Sequence, residues 1–371
     1  MALSVADVDY LREADLTELT DKAQLTKKSA LADAQLAHQL HGDFGRAALE
    51  LIAARASEKI PSTWFGDSDS VQQATPAPVV AERARRLQGL RVHDVTCSIG
   101  AEGAAHQGEW IGSDLDPARL AMAQLNLPGR LLLRADALRP VSRDTVVVAD
   151  PARRSGGRRI KDTIPPLPDL MAAWAGHEMA IKCAPGIDYS EFDGLVSVSS
   201  VAGSVKETCL YTAGFSSGER REAVIHHAEG IDRVTDLEPD DVEVAKPGRF
   251  IIDPDGAIVR AGLVRQFAHR EGLWMLDERI AHLTGDRIPQ GYSGFEVIEQ
   301  VGVKQLKQAL AALDAASVEI LVRGVDVDPD ALRQKLKLRG SRPLAVVITR
   351  IGRSATAMVC NPRQWAEGPL E

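Results

Sequence analysis

Four acids close four short apolar runs in order along the chain: Asp94 in RVHDVTCSIG, Asp114 in EWIGSD, Asp136 in RLLLRAD and Asp150 in DTVVVAD. In open parallel sheets, ligands bind beyond the carboxyl ends of the strands, where the topology reverses. A turn of small residues, here Cys97-Ser98-Ile99-Gly100, lets the backbone approach a ligand, and the helix after it offers free N–H groups. An acid after the second strand can accept both hydroxyls of a ribose, and one after the third can accept from an exocyclic amine. Asp150 is followed by Pro151 and then by five basic residues within ten positions: Arg153, Arg154, Arg158, Arg159 and Lys161. This positive charge stands in a chain of formal net charge −8, so it is local rather than general. Lys182, at the end of a fifth apolar run, is expected beside the same cleft, contacting either substrate or a carboxylate.

Two cofactors fit such a constellation. The string Ser98-x-Gly100-x-x-Gly103 is close to the dinucleotide fingerprint GxGxxG, with serine for the first glycine. The alternative is S-adenosylmethionine, whose sites begin with an acid on the first strand. Asp94 and the Asp150-Pro151 pair favour the second. Asp116, before Pro117, reads as a helix cap. Cys97 and Cys183 read as small buried residues rather than nucleophiles.

The elements that must position these residues follow from periodicity. The first 60 residues read as helices, with Leu49, Ile52, Ala53 and Ile60 on one side of the last. Thr75 and Pro76 then read as the N-cap and first position of another helix. From residue 91 strands alternate with helices, which indicates a mostly parallel sheet covered on both faces. LVSVSSVAGSVKETCLYTAG and REAVIHH read as two late strands able to pair antiparallel, and the basic stretch after Pro151 reads as a loop. A smaller mixed α/β region follows, carrying Arg333, Lys335, Lys337, Arg339 and Arg342 on and after a helix. The length of 371 residues fits two or three domains. Four scattered cysteines, none in metal-ligand spacing, point to a reducing compartment and no metal. No apolar run is long enough for a membrane span, and the acidic N-terminus is unlike a signal peptide, so a cytoplasmic protein is expected.

DVTCSIGAEG, IGSDLDP, RADA, VVVADPARR, IKCAPGID and VKETCLY together resemble class I S-adenosylmethionine-dependent methyltransferases related to trimethylguanosine synthases. DPDGAIVRAGLV and RGVDVDPDALRQKLKLRG resemble the THUMP-like domain that ends chains of that family. The resemblance implies a Rossmann-like methyltransferase domain over 63–235, an N-terminal helical region over 1–62 and a THUMP-like α+β domain over 236–371. It implies that Thr75, Asp94, Cys97, Ser98, Gly100, Asp114 and Asp136 hold the cofactor. Asp150 and Pro151 match the start of the (D/N)PP(Y/F/W) motif, in which the acid and a backbone carbonyl accept hydrogen bonds from a target amine. Ala152 and Arg153 replace the motif's second proline and its aromatic. Arginine can stack on a base or hold a phosphate. Arg153, Arg154, Arg158, Arg159 and Lys182 are therefore expected to meet the substrate, an RNA base amine. The alternatives are an inactive module binding S-adenosylmethionine and RNA, or a methyltransferase with a non-RNA acceptor.

Overall fold

The computed structural model describes residues 2–57, 59–155, 158–352 and 354–366. For 153–155 and 158–162 only the backbone is described, so the side chains of Arg153, Arg154, Arg158 and Arg159 lie outside the described residues. The chain divides into two compact units, Met1–Ile187 with Thr208–Phe215, and Asp188–Glu207 with Ser216–Glu371.

The first unit opens with α1 (Val5–Glu13), α2 (Thr17–Lys22), α3 (Ala30–His41) and α4 (Gly45–Arg55). The helical reading of this region holds, and Leu11, Leu19, Ala37, Ala48 and Leu51 meet in a common core. The expected face of α4 does not hold: it buries Ala47, Ala48, Leu51, Ile52 and Ala54, and Ile60 lies beyond the helix end. The chain turns there because the Ala56 N–H bonds back to Ile52 and that of Ser57 to Ala54. After α5 (Ser68–Gln73), helix α6 (Ala77–Arg86) starts one residue later than expected, with Pro76 rather than Thr75 as its N-cap.

Strand and helix then alternate: β1 (Val92–Asp94), α7 (Ala101–Ala105), β2 (Trp110–Asp114), α8 (Pro117–Asn126), β3 (Leu131–Arg134) and β4 (Val146–Ala149). Asp116 caps α8 by accepting from the N–H groups of Ala118 and Arg119. Beyond Asp150 the expected loop is instead a backbone hairpin of β5 (Ala152–Ser155) and β6 (Arg158–Ile164). Then come α9 (Leu167–Ala173) and β7 (Met179–Cys183). β8 (Gly194–Val201) belongs to the second unit, and β9 (Ser204–Thr212) contributes Thr208–Thr212 to the first. Within the first unit the strand order is β3-β2-β1-β4-β7-β9. Its pairings are parallel except the last, which is antiparallel. Both faces are covered, which is why β4 and β7 are buried along their whole length and read as unbroken apolar runs.

The second unit holds β8, β10 (Arg221–His226) and β11 (Ile231–Thr235). Here the late strands differ from expectation. A turn with positive φ at Ala202 (49°) and Gly203 (75°) splits the long run in two, and β10 pairs parallel to β8. β11 then pairs antiparallel to β10. A second sheet combines β12 (Phe250–Ile252), β13 (Trp274–Met275), β14 (Leu283–Gly285), β15 (Ser293–Gly302), β16 (Ala315–Arg323), β17 (Arg342–Ile351) and β18 (Ser354–Cys360). The helices α10 (Gly256–Ala261), α11 (Val264–Glu271), α12 (Leu306–Ala312) and α13 (Pro329–Leu336) complete this mixed α/β unit. Leu306 and Leu310 of α12 and Leu336 of α13 pack on Val318, Val346 and Ile348. Among the described residues, no helix is long and apolar enough to cross a membrane.

Candidate active site

The chain runs from β1 outward through β2 to β3, then returns to place β4 on the other side of β1. The carboxyl edge between β1 and β4 is therefore the topological switch point, and Asp94 and Asp150 flank it. Register places Asp94 beside Val148 of β4 and Gly112 of β2, so Asp150 and Asp114 each lie two residues further out. Asp114 pairs with Arg134, so Asp136 lies two residues beyond that level.

Thr96 ties the two flanking acids together. Its N–H donates to Asp94 Oδ1 at 3.2 Å, and its Oγ1 accepts from the Asp150 N–H at 2.6 Å. Lys182 reaches over from β7 and donates to Asp150 Oδ2 at 2.6 Å, with Glu102 Oε1 at 3.7 Å. Of the two roles expected for Lys182, the structure displays the carboxylate contact. Glu102 is held in turn by Arg83, whose Nε and Nη2 lie 3.1 and 3.0 Å from its two carboxylate oxygens. The Arg83 side chain is 1% exposed and that of Glu102 13%. Burial, reinforced by the charge of Glu102, pushes the Asp94 carboxyl well above the usual carboxylate range; the Thr96 N–H and Lys182 pull the other way.

The small-residue turn after β1 is braced by Asp114, which accepts from the N–H of Ser98 and of Asp116, both at 2.9 Å. Burial raises its pKa, and those two N–H bonds lower it. Each carboxylate oxygen keeps a further lone-pair direction for another donor. Ser98 has φ 48° and Gly100 φ 94°, both left-handed. At Gly100 a Cβ would stand 2.4 Å from Leu127 Cδ1, so only glycine fits the point where the turn enters α7. Cys97 brings its backbone and not its thiol: its N–H bonds to Ser113 O at 2.9 Å. Burial and the charges of Asp94 and Asp114 hold that thiol protonated. Asp136 is exposed and accepts from Leu138 N–H in its own loop, while Thr75 is half-buried at the entry to α6.

The residues expected at the strand ends are thus brought to one edge, with Asp94, Asp150 and Lys182 in one network. Sequence reasoning missed three contributors. Thr96 stood inside the motif with no charge to mark it. Glu102 is two residues past Gly100, on a helix rather than at a strand end. Arg83 lies in an ERARR run of the helix after Pro76, where nothing in the sequence sets it apart from its neighbours until the fold buries it. His93, on β1, is also fully buried and is pushed down to about 4 by desolvation and by His177. Its ring bonds the hydroxyls of Ser142 and Ser113 and is structural. Among the described residues, no group of three His, Cys, Asp or Glu could hold a metal ion.

Comparison with known proteins bears on this geometry. Residues 292–362, which span β15 to β18, match the family model described as THUMP domain-like. Two proteins from two strains of Mycobacterium tuberculosis, described as uncharacterized S-adenosylmethionine-dependent methyltransferases, are each 52% identical over 323 residues, 81% of this chain and 90% of theirs. A solved structure presented as a candidate methyltransferase of Porphyromonas gingivalis W83 superposes with a TM-score of 0.74 at 18% identity, covering 99% of this chain and 100% of that one. The last likeness is one of fold.

Proposed function

Since the chain belongs to the S-adenosylmethionine-dependent methyltransferases and carries a THUMP-like domain, we propose that it methylates an amine nitrogen of an RNA base. The observation that carries this reading is the bridge through Thr96, which sets Asp94, on the cofactor side, and Asp150, on the acceptor side, at one switch point. The turn from Cys97 to Gly100 with Asp114 and Asp136 suits the cofactor: a cradle closed to any Cβ at Gly100, then acids in register for ribose and adenine. When bound, S-adenosylmethionine supplies an electrophilic methyl group.

On this reading, Asp150 accepts a hydrogen bond from the target N–H. Lys182 occupies Oδ2, and Oδ1 has no partner among the described residues. Oδ1 and the Pro151 carbonyl orient the amine so that its lone pair faces the methyl, and positioning does most of the work. Arg153, Arg154, Arg158 and Arg159, on the β5–β6 hairpin, are assigned to RNA phosphates, and the THUMP-like domain favours RNA over other acceptors. The relation to trimethylguanosine synthases belongs to the same reading, as do the division into 1–62, 63–235 and 236–371 and a cytoplasmic site of action. Four buried free cysteines support the last. Mass spectrometry of modified nucleosides in a deletion strain and its parent tests the acceptor: the deletion strain should lack one methylated base, and identical profiles would remove RNA from the reading.

Asp94 gives a second test. Its folded pKa lies above the unfolded value, so its contribution to stability is full below about pH 4 and lost as pH rises through the folded pKa. Around it stand Glu102 on α7, Asp150 after β4, Lys182 on β7 and Arg83 on α6. S-adenosylmethionine bears one net positive charge, which favours ionised Asp94. Binding should therefore release a proton, and affinity should rise with pH across the same window. Calorimetry in buffers of different ionisation enthalpy measures this; identical apparent heats would remove Asp94 from the cofactor site.

A further inference from the structure

The N-terminal helices enclose a surface pocket of about 460 Å³ with no part in the site above. It lies between the end of α1, the start of α2, the last residue of α4 and Phe65. Arg55 is its central feature. The guanidinium carbon lies 5.1 Å from the centroid of the Phe65 ring, and Nε donates to the Trp64 carbonyl at 3.0 Å. Its two terminal NH2 groups have no partner among the described residues, and no described carboxylate lies within ion-pairing distance. Burial alone pushes its pKa below the ordinary arginine range. Half-buried and with no described carboxylate in ion-pairing reach, the guanidinium is open to an external anion. A guanidinium offers paired donors that grip a phosphate or carboxylate with two parallel bonds.

The rest of the lining selects among anions. Leu11 is buried and apolar, whereas Thr17, Thr20, Asp15 and Asp21 are exposed and polar. The volume exceeds that of a bare oxyanion and falls in the range of small-molecule sites. An anion with a flat body and several hydroxyl or amine donors satisfies all of these groups at once. We propose that this pocket binds a nucleotide, with its phosphate on Arg55, its base against Leu11 and Phe65, and its ribose or base donors on Asp15, Asp21 and the threonines. The nucleotide is either free or part of an RNA strand, and the site is separate from the methyl-transfer cleft.

The test is calorimetric titration of the full chain saturated with S-adenosylhomocysteine, so that the cofactor site is filled. The probes are uridine 5′-monophosphate, uridine and a short single-stranded RNA. Wild type should bind the monophosphate and not uridine. Arg55→Gln should weaken binding about tenfold or more, and Arg55→Lys, which keeps the charge but loses the fork, should fall between. Binding of the RNA alone, with the same dependence on Arg55, assigns the phosphate to a strand; binding of the monophosphate assigns it to a free nucleotide. The proposal fails if neither binds, if uridine binds as tightly as its monophosphate, or if Arg55→Gln binds as wild type does. Arg55 is half-exposed, so an unchanged affinity of Arg55→Gln for S-adenosylhomocysteine checks that the fold is intact.

Discussion

Replacing Asp150 by alanine should reduce methyl transfer by ~10²–10⁴-fold, the usual range for a group that positions or polarises a reacting centre, while leaving cofactor affinity nearly unchanged. The separation of effects follows from the geometry. Asp150 is fastened through its backbone N–H, which donates to Thr96 Oγ1, and that bond survives the substitution. The Thr96 N–H continues to hold Asp94, so the cofactor side keeps its shape. What disappears is the carboxylate, whose Oδ2 is on Lys182 and whose Oδ1 the proposed reaction assigns to the acceptor. Asp150→Asn keeps one carbonyl acceptor and should lie between the two. The measurement pairs radiolabelled transfer to RNA from a deletion strain with calorimetry of S-adenosylmethionine. A variant Asp150→Ala that transfers at the wild-type rate removes Asp150 from the reaction, and one that loses the cofactor moves it to the other side of the cleft.

Arg83→Met should destabilise the fold by about 3 kcal/mol, at the lower end of the range for breaking a buried ion pair by removing one partner. The substitution leaves Glu102 with Lys182, at 3.7 Å, as its only cationic neighbour among the described residues. Asp94 sits beside this unbalanced charge and should become harder to ionise, so cofactor affinity should fall as well. The double variant Arg83→Met, Glu102→Gln should recover part of the stability, because it removes the Glu102 charge that Arg83 neutralises. Urea unfolding of the two variants and wild type measures both effects. Equal midpoints for wild type and Arg83→Met would show that the pair is not a stabilising link between α6 and α7.

These two residues also mark how far the sequence carried. Asp150 was legible because β4 is covered on both faces, which forces a continuous apolar run and makes the first acid after it conspicuous. Asp94 and Asp114 were legible by the same rule, Asp136 as the acid that closes the apolar run of the edge strand β3, and Asp116-Pro117 by the local chemistry of a helix start. Arg83 was not: its partner is nineteen positions away on another helix, and a basic run on an amphipathic helix looks the same whether it faces water or a buried carboxylate. The late strands were misread because apolar residues on both sides of the Ala202-Gly203 turn make one long run, and pairing direction is a property of the sheet.

By itself the sequence determined the strand-helix alternation, the order of acids at the strand ends, the small-residue turn and the Asp116 helix cap. Each rests on contacts within a few residues or on burial that repeats with the period of its element. Only the tertiary structure decided which charges meet: Lys182 on Asp150, Arg83 on Glu102, Thr96 between Asp94 and Asp150, and Arg55 on no carboxylate among the described residues. An ion pair depends on distance and desolvation across elements, and neither quantity is encoded in the local pattern of residue types.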